Sequence, residues 1–271
     1  MNRIVVITGA SSGLGKALRE IFEKEDIVIG VSRSEDPNKK NSYVCDITNE
    51  SELVKVFKDV KDKFGRIDIL INNAGYGISG ATELASMKEA RNLFEVNFFA
   101  ALRAIQLTLP IMPQSGRIIN ISSASAFFGV PFRSLYSASK AALLLLSESV
   151  GIEVSRTGIK VTAICPGEIK TNFTKARIKN SETNERYGSA VENSAHSIDK
   201  HENSRMDVNK VARKIYKIIE KKDYKPRYVI GAKYRFMCAM DRFLPRKCIN
   251  SFLQKLFYKR KEVQKTEEVE N

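Results

Sequence analysis

The run Ile4-Val5-Val6-Ile7-Thr8 passes directly into Gly9-Ala10-Ser11-Ser12-Gly13-Leu14-Gly15 and then into Lys16-Ala17-Leu18-Arg19-Glu20-Ile21-Phe22. A β-branched strand, a glycine turn and a helix in immediate succession form the opening of a βα unit that feeds a parallel sheet. In such a unit Gly9 permits the tight turn, Gly13 lets an anion approach the backbone, and Gly15 lets the helix pack on the sheet. Ser11, Ser12 and Leu14 fall at the amino end of that helix, where free N–H groups and a partial positive charge favour phosphate. The spacing is GxxxGxG rather than the commoner GxGxxG, so this segment alone fits a nucleotide loop and an ordinary glycine-rich turn equally well.

The alternation continues along the chain. Strand-like runs fall near 3–8, 26–31, 43–45, 67–72, 117–122, 159–165 and 227–231, with helical runs between them, the longest near 86–112 and 134–156. This pattern predicts a single α/β domain.

Chemistry concentrates at the ends of those strands. Tyr136 and Lys140, in Tyr136-Ser137-Ala138-Ser139-Lys140, place a phenol and an ammonium on one helix face, one turn apart. A neighbouring cation favours the phenolate, which makes the pair a candidate proton donor and acceptor for a carbonyl or alcohol oxygen. Ser123 lies thirteen positions earlier, just past the apolar run Arg117-Ile118-Ile119-Asn120-Ile121, where open α/β sheets hold their ligands. Ser122 could serve equally well, and only the spacing to Tyr136 favours Ser123. Asp68-Ile69-Leu70-Ile71-Asn72-Asn73-Ala74-Gly75 is a strand ending in a small polar turn. Asn97 interrupts a long helix as a poor helix former among Phe94, Val96, Phe98 and Phe99, the setting of a buried amide with a task.

Taken together, TGASSGLG, NNAG, Asn97, Ser123, YSASK and Pro166-Gly167-Glu168-Ile169-Lys170-Thr171 resemble, in order and spacing, the short-chain dehydrogenase/reductase family, over residues 3 to about 172 and again at the strand near Pro226 to Gly231. The resemblance implies a doubly wound (Rossmann) seven-stranded parallel sheet over 1–231, with a substrate lid at 172–206 and a C-terminal helical extension at 232–271. It implies that Tyr136 is the acid in ketone reduction and the base in alcohol oxidation, with Ser123 steadying the substrate oxygen. Lys140 would bind the nicotinamide ribose and lower the tyrosine pKa, and Asn97 would hold a water in a proton path. Asn73, Ala74 and Gly75 would line the adenosine ribose; Asp46, with Ile47 beside it, would meet the adenine; and Pro166, Gly167, Ile169 and Thr171 would cradle the nicotinamide.

Cofactor choice follows from charge. The second strand ends in Ser32-Arg33 where an NAD-selecting chain carries an acid, and a hydroxyl beside a guanidinium suits a 2′-phosphate. NADP(H) is therefore expected; NAD would follow if Arg33 were solvated and Glu35 or Asp36 turned in. Only twelve residues separate Arg33 from Asp46, and Pro37 within a polar run argues for a loop where the family usually has a helix.

The formal charge is +14, and between Arg205 and Lys261 stand 18 Lys and Arg against 4 Asp and Glu, which equals the whole excess. Ile249, Phe252, Leu253, Leu256 and Phe257 fall at i, i+3, i+4, i+7 and i+8, an amphipathic helix flanked by Lys247, Lys255, Lys259 and Arg260. Two readings stay open for it: packing on its own domain, or docking on an anionic membrane surface. Nucleic acid is not an expected partner, because no recognition motif accompanies the basic patch.

A strand beginning at Arg3 leaves no room for a secretory leader, and no uncharged run reaches the ~20 residues that span a bilayer. The four cysteines lack metal spacing, and His196 and His201 fall in a polar loop, so no metal site is expected. The expected setting is cytoplasmic, peripheral to a membrane if the tail docks there. The expected partners are a small-molecule carbonyl or alcohol and a second copy of the chain, in a homodimer or homotetramer paired through 86–112 and 134–156. The long tail resembles the branch containing retinol and 17β-hydroxysteroid dehydrogenases and implies a steroid, retinoid or long-chain lipid substrate. A small polar or acyl-thioester substrate, or a non-catalytic cofactor sensor, are the alternatives.

Overall fold

Every residue of strand β1 (Ile4–Thr8) is buried, so the sheet it begins must be covered on both faces. A computed structural model describes residues 2–34, 40–173, 177–194 and 205–257. In chain order β1 is followed by α1 (Gly13–Phe22), β2 (Ile27–Ser32), β3 (Ser42–Val44), α2 (Glu50–Phe64), β4 (Ile69–Asn72) and the short β5 (Ile78–Ser79). Next come α3 (Met87–Phe94), a π-helical turn (Glu95–Phe99), α4 (Ala100–Thr108), β6 (Arg117–Ile121), α5 (Ser134–Glu153), β7 (Lys160–Pro166) and the short β8 (Ile169–Lys170) and β9 (Ile178–Lys179). The chain closes with β10 (Met206–Asp207), α6 (Val208–Ile219), β11 (Arg227–Ile230), α7 (Ala232–Phe243) and α8 (Arg246–Phe257).

Seven strands form one parallel sheet in the order β11-β7-β6-β4-β1-β2-β3. The doubly wound single domain expected from the sequence is therefore the fold. Alternate residues of β1 divide between its two cores. Val5 and Ile7 pack with Leu18 and Phe22 of α1 and Val211, Ile215 and Ile219 of α6. Ile4 and Val6 pack with Leu53, Val56 and Phe57 of α2, Ile105 of α4 and Val150 of α5. Because all strands run one way, their carboxyl ends share one edge, and the order reverses between β1 and β4. That reversal is where the ligand crevice of such a sheet opens.

The strand boundaries differ from the sequence pattern by one or two residues. The long helix expected over 86–112 is interrupted by the π turn, which contains Asn97, and ends in a 3-10 turn at Leu109–Ile111. A π turn inserts one extra residue, which here turns a buried asparagine side chain away from the ordinary helix register. On the outer face of α5, Leu145 and Ile152 stay exposed, the apolar side expected to meet a second copy. The tail helix is present as α8, and Leu253 on it is buried. The side chains of Phe252, Leu256 and Phe257 lie outside the described residues, as do Glu35, Asp36, Pro37, His196, His201, Lys259, Arg260 and part of the 172–206 stretch.

A buried polar chain ties the middle of the sheet to α5. Asn72 Nδ2 donates to Asn120 Oδ1 (2.8 Å), Asn120 Nδ2 donates to Ser147 Oγ (2.9 Å), and Ser147 Oγ donates to the Leu143 carbonyl (2.6 Å). Asn120→Ala strands a donor and an acceptor away from water, and should cost about 1–3 kcal/mol. Urea denaturation would show this as a lower midpoint; an unchanged midpoint would mean the chain of bonds contributes nothing.

Candidate active site

Two loops are locked together where β1 and β4 part. Thr8 Oγ1 accepts the backbone N–H of Asn73 (3.0 Å) and of Ala74 (3.1 Å). Asn73 Nδ2 donates in return to the carbonyls of Thr8 (3.0 Å) and Gly9 (3.2 Å). Gly9 has φ +67°, and a Cβ there would come within 3.0 Å of Ala74 Cα. A Cβ on Gly15 would strike the Gly9 carbonyl and lie 2.6 Å from Asn73 Nδ2. Gly15 therefore lies behind the loop and lets α1 approach. Ser12, at the N-cap of α1, makes no capping bond, and the first turn carries no acid. The amino end of α1 thus keeps its orphan N–H groups available for an anion.

One cavity of about 2130 Å³ runs along this edge of the sheet, and every cofactor-binding and catalytic residue expected from the sequence lines it except Gly15 and Asn97. A drug-sized ligand fills ~300–1,000 Å³, so there is room for a dinucleotide and a substrate together. At the far end lie Ser32, Arg33, Asp46 and Ile47. Ser32 Oγ donates to the Ser34 carbonyl (2.6 Å). Asp46 Oδ1 accepts from Thr48 N (3.0 Å) and Oγ1 (2.7 Å), and these bonds, with the Arg33 charge, hold its carboxyl below the usual range. The described end of β2 carries no acid, and Glu35 and Asp36 lie beyond the description. These residues fit a dinucleotide: a side-chain-free cradle at Gly9 and Gly13 and an uncapped helix end.

At the near end, β6 and α5 sort the two serines. Ser122 is buried, with its Oγ donating to the Lys140 carbonyl (2.7 Å). Ser123 turns the other way, at the N-cap of the 3-10 turn Ala124–Ala126, accepts from Ser125 Oγ (2.9 Å), and lines the cavity together with Tyr136. The alternation of one strand-end residue thus commits Ser122 to the backbone and leaves Ser123 less buried at the cavity wall. Lys140 is buried and donates its ammonium to the Ile121 carbonyl (2.9 Å); burial lowers its pKa to about 8.

Desolvation pushes the Tyr136 phenol up, and the groups pulling it back are Arg177 first, then Ser123, then Arg133. The Lys140 charge is spent on the Ile121 carbonyl one layer deeper. Asn97 stands behind the second loop, accepting from Tyr76 N (3.1 Å) and donating to Tyr76 O (3.0 Å) and Ser139 Oγ (3.1 Å). A Cβ on Gly75 would sit 2.9 Å from Asn97 Oδ1 and 3.2 Å from Lys140 Nζ, so the loop threads between amide and ammonium only as glycine.

Residues 3–182 match the sequence profile of the short chain dehydrogenases. The chain belongs to the short-chain dehydrogenase/reductase family. It is 36% identical over 247 residues to a 3-ketodihydrosphingosine reductase of Bacteroides thetaiotaomicron, covering 89% of this chain and 92% of that one. The crystal structure of a short-chain dehydrogenase from Streptomyces avermitilis superposes with a TM-score of 0.82 at 31% identity, over 94% of this chain and 95% of that one. A structure of ElxO with NADP bound does so with a TM-score of 0.70 at 26% identity, over 87% of this chain and 100% of the other.

This short-chain dehydrogenase/reductase is an oxidoreductase, and its cavity has walls that sequence reasoning missed. Met237 and Met240 of α7, Leu244, and Ile249 and Leu253 of α8 line it, so the tail packs over the cleft. The helical periodicity showed that an apolar face exists; it could not show what that face meets. Tyr234 covers Gly167 so closely that a Cβ there would strike its ring. Arg133 pairs with Glu168 at 3.2 Å, and Arg177 stands 5.6 Å from the Tyr136 ring. Both arginines lie in stretches without periodicity, where sequence gave no signal. Among the described residues no group of three or more His, Cys, Asp and Glu could hold a metal ion.

Proposed function

We propose that this enzyme is an NADP(H)-dependent oxidoreductase that interconverts a carbonyl and an alcohol on a lipophilic substrate. The observation that carries the reading is that Ser123, Tyr136 and buried Lys140 line the same cavity as the glycine loop. The loop and the α1 amino end would hold the pyrophosphate, with Ser32 and Arg33 on a 2′-phosphate. Asp46 and Ile47 would meet the adenine, and Asn73 to Gly75 the ribose. Pro166, Gly167, Ile169 and Thr171 would hold the nicotinamide end, with Lys140 on its ribose hydroxyls. A bound nicotinamide supplies or accepts the hydride.

In reduction Tyr136 gives its proton to the carbonyl oxygen; in oxidation it takes one back. Ser123 holds the same oxygen and stabilises the charge that develops on it. Burial keeps the phenol protonated at neutral pH, the form that donates to a carbonyl oxygen. Asn97 fixes the Tyr76 segment and flanks the proton path from Lys140.

The apolar wall from α7 and α8 supports a lipophilic substrate, as does the ketodihydrosphingosine named for the Bacteroides relative. The 172–206 segment contributes Phe173, whose ring lies 5.9 Å from that of Tyr136, as part of a lid. The mouth supports peripheral membrane contact. Phe236 (67% exposed) and Phe243 (79%) project from α7 near Lys233, Arg235, Arg246 and Lys247, and no helix among the described residues is long and apolar enough to cross a membrane. Each basic residue at an anionic surface adds ~1 kcal/mol.

Tyr136→Phe should lower turnover by roughly 10²–10⁴-fold while leaving NADPH affinity intact. The assay is NADPH oxidation against a panel of steroids, retinoids, long-chain ketones and small sugars; full retained turnover would eliminate the acid. Arg33→Asp should move the preference toward NADH, and an unmoved NADPH/NADH ratio of kcat/KM would refute the phosphate assignment. Phe236→Asp together with Phe243→Asp should abolish co-sedimentation with phosphatidylserine vesicles. Absence of wild-type binding would dispose of the membrane reading.

A further inference from the structure

Two guanidinium groups line the substrate end of the cavity without enough partners. Arg177 holds its Nε and Nη1 away from solvent with no hydrogen-bond partner, and Arg133 does the same with its Nε. Arg133 Nη1 donates to Glu168 Oε1 at 3.2 Å. The Arg177 guanidinium carbon lies 5.6 Å from the centre of the Tyr136 ring and 5.9 Å from that of Phe173. A Cβ on Gly77 would lie 3.2 Å from that carbon, so the second loop presses against its back. Arg205 lines the same space, and Glu168, paired with Arg133, is the carboxylate that also acts on Arg177.

Such an arrangement is costly as it stands. A buried guanidinium with open N–H groups forfeits hydration without recovering hydrogen bonds. Proteins retain such groups where an oxyanion completes them, and the planar fork of arginine matches carboxylate and phosphate geometry. Burial and the nearby Arg133 pull the Arg177 pKa down to about 10, which leaves it cationic at neutral pH and short of negative neighbours.

We propose that Arg177, with Arg133 beside it, receives an anionic oxygen group of the substrate, a carboxylate or a phosphate ester, placed a few bonds from the carbonyl that Tyr136 protonates. This rests on the carbonyl–alcohol reading above and narrows its substrate to an acidic, apolar-tailed ketone. Neutral ketones lack the counter-charge, and ketones bearing an amine beside the carbonyl bring like charge to the guanidinium. The apolar wall of α7 and α8 takes the tail of the molecule while the arginines take its acidic end.

The test uses the full chain with NADPH and matched long-chain ketones: the free oxo acid, its methyl ester, a phosphate-bearing ketone and an amino ketone. Wild type should prefer one of the two anions over the ester by roughly 10- to 100-fold in kcat/KM, the worth of a charge-assisted hydrogen bond in a dry site. Whichever anion is preferred identifies the group. Arg177→Gln should collapse that ratio through a raised KM for the anion, and Arg177→Lys should restore part of it. Equal use of ester and anions, preference for the amine, or an Arg177→Gln variant that slows all ketones alike with a displaced pH profile of kcat would overturn the proposal. The last result would make Arg177 a positioning residue for the phenol.

Thermal shift of the NADPH complex separates this inference from the broader one. Stabilisation of wild type but not Arg177→Gln by the oxo acid or by inorganic phosphate, without turnover of any ketone, would uphold the anion site and sink the redox reading. Turnover of neutral ketones with no anion-dependent shift would do the reverse.

Discussion

The pair of loops that Thr8 and Asn73 bind across the reversal of strand order is the constraint on which the site depends. Two backbone N–H groups converge on one hydroxyl, and one amide returns two bonds to the opposite loop. These bonds hold the glycine turn at a fixed distance from the second loop, so that Gly9, Gly15 and Gly75 can each pass where a Cβ would collide. The crevice is a consequence of the topology. Its width is set by these few bonds.

Behind the crevice the protein buries polar groups in an order that separates support from chemistry. Ser122, Lys140, Asn97 and Ser139 are buried and bonded to backbone or to one another, and they leave Ser123 and Tyr136 turned toward the cavity. A lysine whose ammonium is committed to the Ile121 carbonyl anchors β6 to α5. Arg177, far away in sequence, is the cation that most pulls the buried phenol back toward its ordinary pKa. Low dielectric makes each of these contacts stronger than it would be in water, and makes any unmatched one more expensive.

The basic tail belongs to the same system. Its helices close the cavity with methionine, leucine and isoleucine, while Phe236 stands exposed at the cavity rim and Phe243 is exposed beyond it. Packing on the domain is seen directly in the lining of the cleft.

Much of this was legible in the chain alone. Strand–glycine–helix order and the alternation of strands and helices determined the parallel sheet, because side-chain periodicity and turn chemistry are local. The spacing of Ser123, Tyr136 and Lys140 marked the site for the same reason, since a helix turn and a strand end have fixed geometry. What only the tertiary structure decided is which distant groups meet. The choice between Ser122 and Ser123, the π turn that turns Asn97 behind Gly75, the apolar wall supplied by α7 and α8, and the unpartnered guanidinium of Arg177 over Tyr136 all depend on contacts between segments far apart in sequence. Such contacts leave no period in a sequence, because burial and electrostatics are set by the neighbours that folding brings and not by the residues on either side.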